Sequence, residues 1–306
     1  MLTFGLALRA LSLEEALWKA IEAERLGLDC VWLFERPSLV YPPKAIPAVA
    51  AETRKVRVGI GLIPLLHSWK EIASTILSLN EVYGERFDLC LIPGDKRHLR
   101  RVGVSTDKLR ETIGILAETG RKVKEVFAEK DVSCKVWVGA QGPRLLKASA
   151  FSDGVLLNTA SPDIVKWALK VMGGLPEGRD FKIGIVASAY LYRGRVKEQP
   201  YRVLCLSAAV ALLGASKSLK RKLGAPEWLL RGEPSVTEEI LKKLPKGLLE
   251  KFSICMHVER FGSYISELSR LGVSHMVFSY PIDLSTETLQ ELASALKPLK
   301  RRSSIL

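Results

Sequence analysis

Short apolar segments rich in β-branched and aromatic residues alternate with amphipathic segments along nearly the whole chain. Eight of the apolar segments have the length and composition of buried strands. The predicted strands span residues 3–8, 30–35, 56–63, 87–92, 136–140, 154–158, 182–191 and 275–280. Because buried strands that alternate with amphipathic helices are typical of a parallel sheet covered by helices, the pattern predicts an α/β fold.

The amphipathic segments carry signals for helix starts. Ser12, Ser68 and Ser285 each precede a segment with apolar residues at helical spacing, where a serine hydroxyl can accept a hydrogen bond from the first turn. Pro143 and Pro162 lie where the first helical turn is expected, which is the helical position that tolerates proline. We therefore expect helices to begin at these five points.

Eight strand and helix units in 306 residues favour a single (β/α)8 TIM barrel that spans residues 1–306. An open doubly wound sheet is less well supported, because no Gly-x-Gly-x-x-Gly follows the first predicted strand. The regular alternation of strands and helices is interrupted at residues 214–254, between the seventh and eighth predicted strands. We interpret this segment as a partly helical insertion that forms a lid, a dimer contact or a surface excursion.

The chain carries 46 Lys and Arg residues against 33 Asp and Glu residues, a formal net charge of +13. Basic proteins often bind nucleic acid, anionic membranes or acidic small molecules. The basic residues cluster at 96–101, 217–222 and 297–302, and none of these clusters contains the interleaved aromatic residues of a single-strand binding groove. We therefore expect a small-molecule partner rather than nucleic acid.

Five cysteines are widely spaced, with no Cys-x-x-Cys pair and no histidine at ligand spacing, so neither a disulfide framework nor a metal site is expected. The longest nearly apolar run, residues 203–213, is too short to span a bilayer, and no secretory signal is recognisable. These features predict a cytoplasmic protein. Only two Asn and three Gln occur, which indicates a thermophilic source.

In an α/β barrel the active site forms at the carboxyl ends of the strands. The fifth predicted strand ends in Gly139-Ala140-Gln141-Gly142-Pro143, a glycine-rich turn that leads into a helix and suits a phosphate. An ordinary tight turn explains the same residues. Gly94-Asp95-Lys96 follows the fourth strand, and Leu157-Asn158-Thr159 ends the sixth strand and continues into the loop after it. Each of these is either part of a site or a plain turn.

Glu35 ends the second predicted strand and His67 follows the third, so either residue could transfer a proton. Each could equally be a solvated or hydrogen-bonded loop residue. No Gly-x-Ser-x-Gly elbow or other nucleophile signature is present, so hydrolysis has little support.

Two segments resemble a known family, the bacterial-luciferase-like oxidoreductases, and within it the methylenetetrahydromethanopterin reductase branch, which uses the deazaflavin coenzyme F420. They are residues 138–162, VGAQGPRLLKASAFSDGVLLNTASP, and residues 92–104, IPGDKRHLRRVGV. The resemblance implies a TIM barrel that binds F420 at its mouth, with the acidic glutamyl tail of the coenzyme suited to a basic protein. The residues that it implies for the coenzyme site are Ile63, Gly94, Lys96, Gly139, Ala140, Gln141, Gly142, Pro143, Leu157, Asn158 and Thr159.

The chain also differs from the resembling branch. Ala7 stands where the reductase has an acidic residue, Phe34-Glu35 replaces an Asp-His pair, and residues 62–66 are more apolar. We expect an F420-dependent oxidoreductase, forming a homo-oligomer, that transfers a hydride to or from a small organic substrate. Asp95 is the first candidate for catalysis, followed by Glu35 and His67. The alternatives are an FMN-dependent monooxygenase and a non-catalytic barrel that acts as a binding or assembly subunit.

Overall fold

Nine strands lie within the residues that the computed structural model describes, which are 2–37, 39–175, 180–231 and 236–303, with only the backbone of 301–303. They are β1 (Thr3–Ala7), β2 (Cys30–Phe34), β3 (Arg57–Leu62), β4 (Phe87–Leu91), β5 (Val136–Gly139), β6 (Gly154–Asn158), β7 (Lys182–Tyr192), β8 (Ser253–His257) and β9 (Val273–Ser279). All eight predicted strands are present. The sequence analysis did not predict β8.

Eight of these strands close into a parallel barrel. β1 to β7 pair in chain order, and β9 lies between β7 and β1. The predicted TIM barrel is therefore confirmed, with β9 as its eighth strand. The additional strand β8 lies outside the barrel and pairs with residues 188–192, the carboxyl-terminal half of the long β7.

The described helices cover the outside of the barrel. They are α1 (Leu13–Arg25), α2 (Pro42–Glu52), α3 (Trp69–Tyr83), α4 (Lys96–Arg101), α5 (Thr106–Arg110), α6 (Thr112–Glu129), α7 (Pro143–Lys147), α8 (Pro162–Met172), α9 (Glu198–Gly214), α10 (Lys217–Lys222), α11 (Glu227–Arg231), α12 (Glu238–Lys243), α13 (Lys246–Leu249), α14 (Val258–Arg270) and α15 (Thr286–Ser303), with a 3-10 turn at Ser149–Phe151. None of these helices is both long enough and apolar enough to cross a bilayer.

The predicted helix starts are confirmed. Ser12 caps α1, and Ser68 forms a reciprocal capping box with Glu71 at the start of α3. The predicted insertion, residues 214–254, holds four short helices, α10 to α13, and runs into β8, while its residues 232–235 lie outside the described residues. The described part of this segment is therefore helical in part and ends in a strand.

Aromatic side chains fill the barrel interior. Trp32 is fully buried, and its ring contacts Trp137 edge to face at 6.5 Å between centroids. β3 makes room for these rings with glycines, because a Cβ built on Gly59 would lie 2.1 Å from a ring atom of Trp32, and one on Gly61 would lie 2.2 Å from Phe34. The interior is thus a packed core and not a channel.

His275 is the polar centre of this interior. Trp32 Nε1 donates to His275 Nε2 at 3.0 Å, so the ring proton of His275 lies on Nδ1, 2.7 Å from the Thr3 hydroxyl. The Thr3 hydroxyl in turn donates to the carbonyl of Ser274 at 3.2 Å. Burial lowers the pKa of His275 from 6.5 to about 4. His275 is therefore a neutral member of the core.

Candidate active site

Phe34 and Asn158 end β2 and β6, Ile92 directly follows β4, and each is only partly buried. We call these three residues the floor of the barrel mouth, the open end at the carboxyl ends of the strands. The Phe34 ring stacks on the Trp32 ring at 5.5 Å with an interplanar angle of 8°, so the packed interior ends at Phe34. Ala7, at the end of β1, adds a small buried side chain to the same cluster. The partly exposed apolar side chains of Phe34 and Ile92 suit the face of a flat aromatic ligand.

Glu35 and His67, from the loops that follow β2 and β3, meet at one side of this floor. His67 Nε2 lies 3.0 Å and 3.1 Å from the two carboxylate oxygens of Glu35. The backbone N–H of Ile63 donates to Glu35 at 2.9 Å and fixes the carboxylate. The two side chains are 18% and 12% exposed, so they are shielded but reachable from solvent. The structure therefore brings together three residues that the sequence analysis selected separately.

The electrostatics of this pair favour a protonated imidazole. The hydrogen bond to Glu35 raises the pKa of His67 above its ordinary value, against the opposing effect of burial. Because Nε2 is held by Glu35, Nδ1 is the ring atom left to exchange a proton with a ligand. The ring of Tyr41 lies 6.1 Å from the His67 ring, and burial raises the pKa of its hydroxyl.

Asp95 has a structural role at the start of α4. Its carboxylate accepts a hydrogen bond from the His98 N–H at 2.8 Å and lies 3.9 Å from Arg97. Its side chain is 45% exposed. Gly94 has a φ of +73°, and a Cβ there would lie 3.1 Å from Ile63. The turn after β4 is thus specified by local packing and capping, which leaves Asp95 a weaker catalytic candidate than the Glu35–His67 pair.

Other residues of the protein pack closely against Gly139 and Gly142 in the glycine-rich turn after β5. A Cβ on Gly139 would lie 3.0 Å from Ile92, and one on Gly142 would lie 3.3 Å from Ser216, the N-cap residue of α10. The Ser216 hydroxyl also donates to the Gln141 carbonyl at 3.2 Å. In the described part of the chain, the N–H groups of Gln141 and Gly142 have no acceptor. The turn therefore keeps two free donors for an anion.

Three of the residues that the resemblance implied for the coenzyme offer no side chain to the mouth. Ala140, Leu157 and Thr159 are at most 2% exposed. Ala140 and Leu157 pack in the core between the barrel and the helices, and the Thr159 hydroxyl donates to the Lys251 carbonyl at 2.9 Å. Of these three residues, therefore, the backbone and not the side chain is available to a ligand at the mouth.

The remaining predicted residues lie at the edge of the mouth. The Gln141 side-chain amide donates to the backbone carbonyl of Asn158 at 2.8 Å and ties the turn after β5 to the end of β6. Pro143 begins α7, and Lys96, in the first turn of α4, is exposed. Among the described residues, no group of three His, Cys, Asp or Glu side chains is placed to hold a metal ion.

Sequence reasoning missed Tyr41 and Ser216 as neighbours of the site. Tyr41 lies at the start of α2, far from His67 in sequence, and its aromatic ring carried no spacing signal. Ser216 belongs to the insertion, whose role was left open. The one sequence signal at Ser216 is a serine that precedes a helical segment. Such a serine indicates the start of a helix and not a binding site.

Comparisons with known proteins identify a matching family and similar sequences. The profile of the family described as luciferase-like monooxygenase matches residues 5–199. A 5,10-methylenetetrahydromethanopterin reductase of Methanolobus tindarius is 28% identical over 305 residues, which cover 87% of this chain and 90% of that protein.

Two solved structures share the fold. The coenzyme F420 dependent tetrahydromethanopterin reductase from Methanopyrus kandleri superposes with a TM-score of 0.77 at 17% identity, over 97% of this chain and 99% of that one. An F420-dependent secondary alcohol dehydrogenase in complex with an F420-acetone adduct gives a TM-score of 0.69 at 14% identity, over 96% and 99% of the two chains. The family and the function expected from the resemblance agree with these relatives.

Proposed function

The chain belongs to the luciferase-like monooxygenase family, and from that premise we propose that it is an oxidoreductase dependent on coenzyme F420. It transfers a hydride to or from a small organic substrate at the barrel mouth. The names of a reductase relative and of two similar structures, which concern methylenetetrahydromethanopterin and F420, support the choice of coenzyme. The observation that carries the proposal is the shielded Glu35–His67 pair beside an apolar floor.

The residues at the mouth fit the parts of this coenzyme. Phe34 and Ile92 offer an apolar surface to the ring, and the free N–H groups of Gln141 and Gly142 suit its phosphate. When bound, the coenzyme supplies a carbon centre that carries the hydride. The chain contributes the binding surface, the orientation of the ring and the exclusion of water.

We assign the proton transfer to His67, positioned by Glu35. The Ile63 N–H holds the Glu35 carboxylate, and the carboxylate holds the Nε2–H of His67, so the imidazole presents Nδ1 in a fixed direction. A protonated Nδ1 can donate to a substrate oxygen or nitrogen that gains negative charge, and a neutral Nδ1 can accept a proton in the reverse direction.

We propose a small organic compound as the substrate. Ala7 and the apolar segment 62–66 make the mouth less polar than the resembling reductases lead one to expect. For that reason we do not assign methylenetetrahydromethanopterin as substrate. A screen of carbonyl and imine compounds against the reduced coenzyme would identify the class.

Titration of the purified protein with F420 and, separately, with FMN tests the proposal. Saturable binding of F420, with weak or no binding of FMN, is the expected result. Preferential binding of FMN together with oxygen-dependent turnover would instead support the family's monooxygenase activity. Binding of neither compound would contradict the proposal and leave a barrel that acts as a binding or assembly subunit.

A cytoplasmic location, a homo-oligomeric state and a thermophilic source remain proposals from the sequence. The exposed Leu11, Trp18 and Ile21 on and before α1 support an interface between copies. Sedimentation equilibrium of the wild type and of Trp18→Ser would test it, since loss of an interface residue should shift the mass toward the monomer.

A further inference from the structure

A basic cleft lies beside the proposed coenzyme site. It is a cavity of about 260 Å³ between α4, α5 and α7. Its lining consists of Lys96, Arg100, Thr106, Leu109, Arg110 and Arg144. Leu109 is 7% exposed and forms the apolar base, while the four basic side chains stand around it and are exposed to solvent. This group of six residues is called the basic cleft below.

Four positive charges surround this cleft with little compensation. Arg110 pairs with Asp107 at 3.2 Å. In the described part of the chain, Lys96, Arg100 and Arg144 have no carboxylate within 4.0 Å. Like charges that converge on one cavity repel each other, and an anionic ligand relieves that repulsion. A cavity with this lining is therefore suited to a ligand with several negative charges.

The basic cleft connects two turns of the barrel mouth. Lys96 lies two residues after Gly94, at the turn that follows β4. Arg144 lies two residues after Gly142, whose N–H is one of the free donors of the turn after β5. A chain attached to a phosphate at the turn after β5 would therefore have Arg144 and the rest of the cleft within its reach.

We propose that the basic cleft binds the glutamyl tail of the coenzyme, a flexible chain of carboxylates. This inference rests on the proposed function and deepens it. Each contact between an exposed cation and a carboxylate is weak and screened by salt, so the tail gains affinity from several contacts together. The cleft also favours F420 over FMN, because FMN ends in its phosphate and carries no tail.

The test measures binding and not turnover. Wild type and Arg100→Gln/Arg144→Gln are titrated with F420 that carries a long glutamyl tail, and with the deazaflavin riboside that lacks both phosphate and tail. The double variant should lose affinity for the long-tailed coenzyme on the order of tenfold, as expected for two exposed ion pairs, with no change for the riboside. Raising the salt concentration should reduce the difference between the two proteins.

Arg54→Gln/Arg121→Gln is the matched control. It removes the same net charge from exposed arginines away from the mouth, before β3 and on α6, and it should bind both compounds as the wild type does. Arg100→Gln/Arg110→Gln is a second test pair in case the first does not fold. It should show the same selective loss, and a loss equal to that of the control would contradict the assignment.

The coenzyme form with phosphate but no glutamate separates two sources of negative charge. If the tail occupies the cleft, the double variant should bind this form nearly as well as the wild type. An equal loss for the tailless and long-tailed forms would overturn the tail proposal and assign the cleft to phosphate. If the wild type binds the riboside and the long-tailed coenzyme with equal affinity, the tail proposal is overturned. The proposed function would stand in that case. Binding of none of the three would instead contradict the proposed function itself.

Discussion

The barrel interior and the barrel mouth each contain a histidine, and the two histidines have opposite properties. His275 is enclosed by Trp32 and Trp137, and burial lowers its pKa to about 4. His67 is partly exposed beside Glu35, and the hydrogen bond to Glu35 raises its pKa. Desolvation dominates in the first case and a charged partner in the second. The interior is therefore built for stability, and the mouth for proton exchange.

Removal of an interior ring should have the largest effect on stability. Trp32→Ala deletes a fully buried indole that contacts Phe34, Trp137 and His275. We expect the free energy of unfolding to fall by about 3–5 kcal/mol, measured by urea denaturation. Trp228→Ala, at a position 36% exposed on α11, is the control and should change it by much less. Equal losses would mean that the interior is not the packed core described above.

Removal of the mouth histidine should instead affect the reaction. His67→Gln is expected to lower the rate of hydride transfer by about 100-fold, because it removes the proton donor and acceptor, with little change in coenzyme affinity. In Glu35→Gln, the loss of hydride-transfer rate at alkaline pH should begin at lower pH than in the wild type. The reason is that the substitution removes the cause of the raised pKa of His67. His98→Gln, on α4, is the control. Unchanged rates in both mouth variants would exclude the pair from the proton transfer.

His275 should make stability depend on pH below neutrality. Its pKa is lower in the folded protein than in the unfolded chain, so the unfolded chain binds the proton more readily as the pH falls. The free energy of unfolding should therefore fall by about 3 kcal/mol between its ordinary pKa of 6.5 and pH 4. Between these two pH values, the free energy of unfolding measured by urea denaturation should change less in His275→Gln than in the wild type. An equal change in both proteins would mean that another group titrates.

The glycines of β3 should resist substitution. Gly59→Ala places a methyl group against the fixed ring of Trp32 and should cost about 1–3 kcal/mol. Gly114→Ala in α6 has open space around it and a helical backbone, so it should be neutral or stabilise the protein slightly. Thermal unfolding of the two variants gives the comparison, and a stable Gly59→Ala would mean that the ring of Trp32 can move.

The ion pair at the mouth should have the smallest effect on stability. Because the pKa of His67 is raised in the folded protein, its stabilisation is fully present below the ordinary pKa of histidine and is lost as the pH rises through the folded pKa. We expect less than about 1 kcal/mol, given the partial exposure of the pair. Denaturation of the wild type and of Glu35→Gln is compared just below the ordinary pKa of histidine and at alkaline pH, because the contribution of His275 is common to both proteins and cancels. Only the wild type should lose the stabilisation by the pair as the pH rises, and an equal change in both proteins would contradict this assignment.

The sequence predicted the barrel because eight strands with strong apolar runs alternate with capped helices. It did not predict β8, because Ser253–His257 contains Ile254 as its one β-branched residue and pairs only with the extension of β7 beyond the barrel. Glu35 and His67 were found from their positions at strand ends. Their contact was not, because it depends on how two loops fold toward each other. The basic cleft was visible in part as the cluster at 96–101, and Arg144 joins it only in three dimensions.

Hydrogen exchange with and without F420 tests most directly whether the mouth is the coenzyme site. The account predicts slower exchange, on binding, of the amides at residues 139–146 and 61–67, with no change in α1 at the outside of the barrel. Protection confined to other surfaces, or none at a saturating coenzyme concentration, would contradict the assignment of the site.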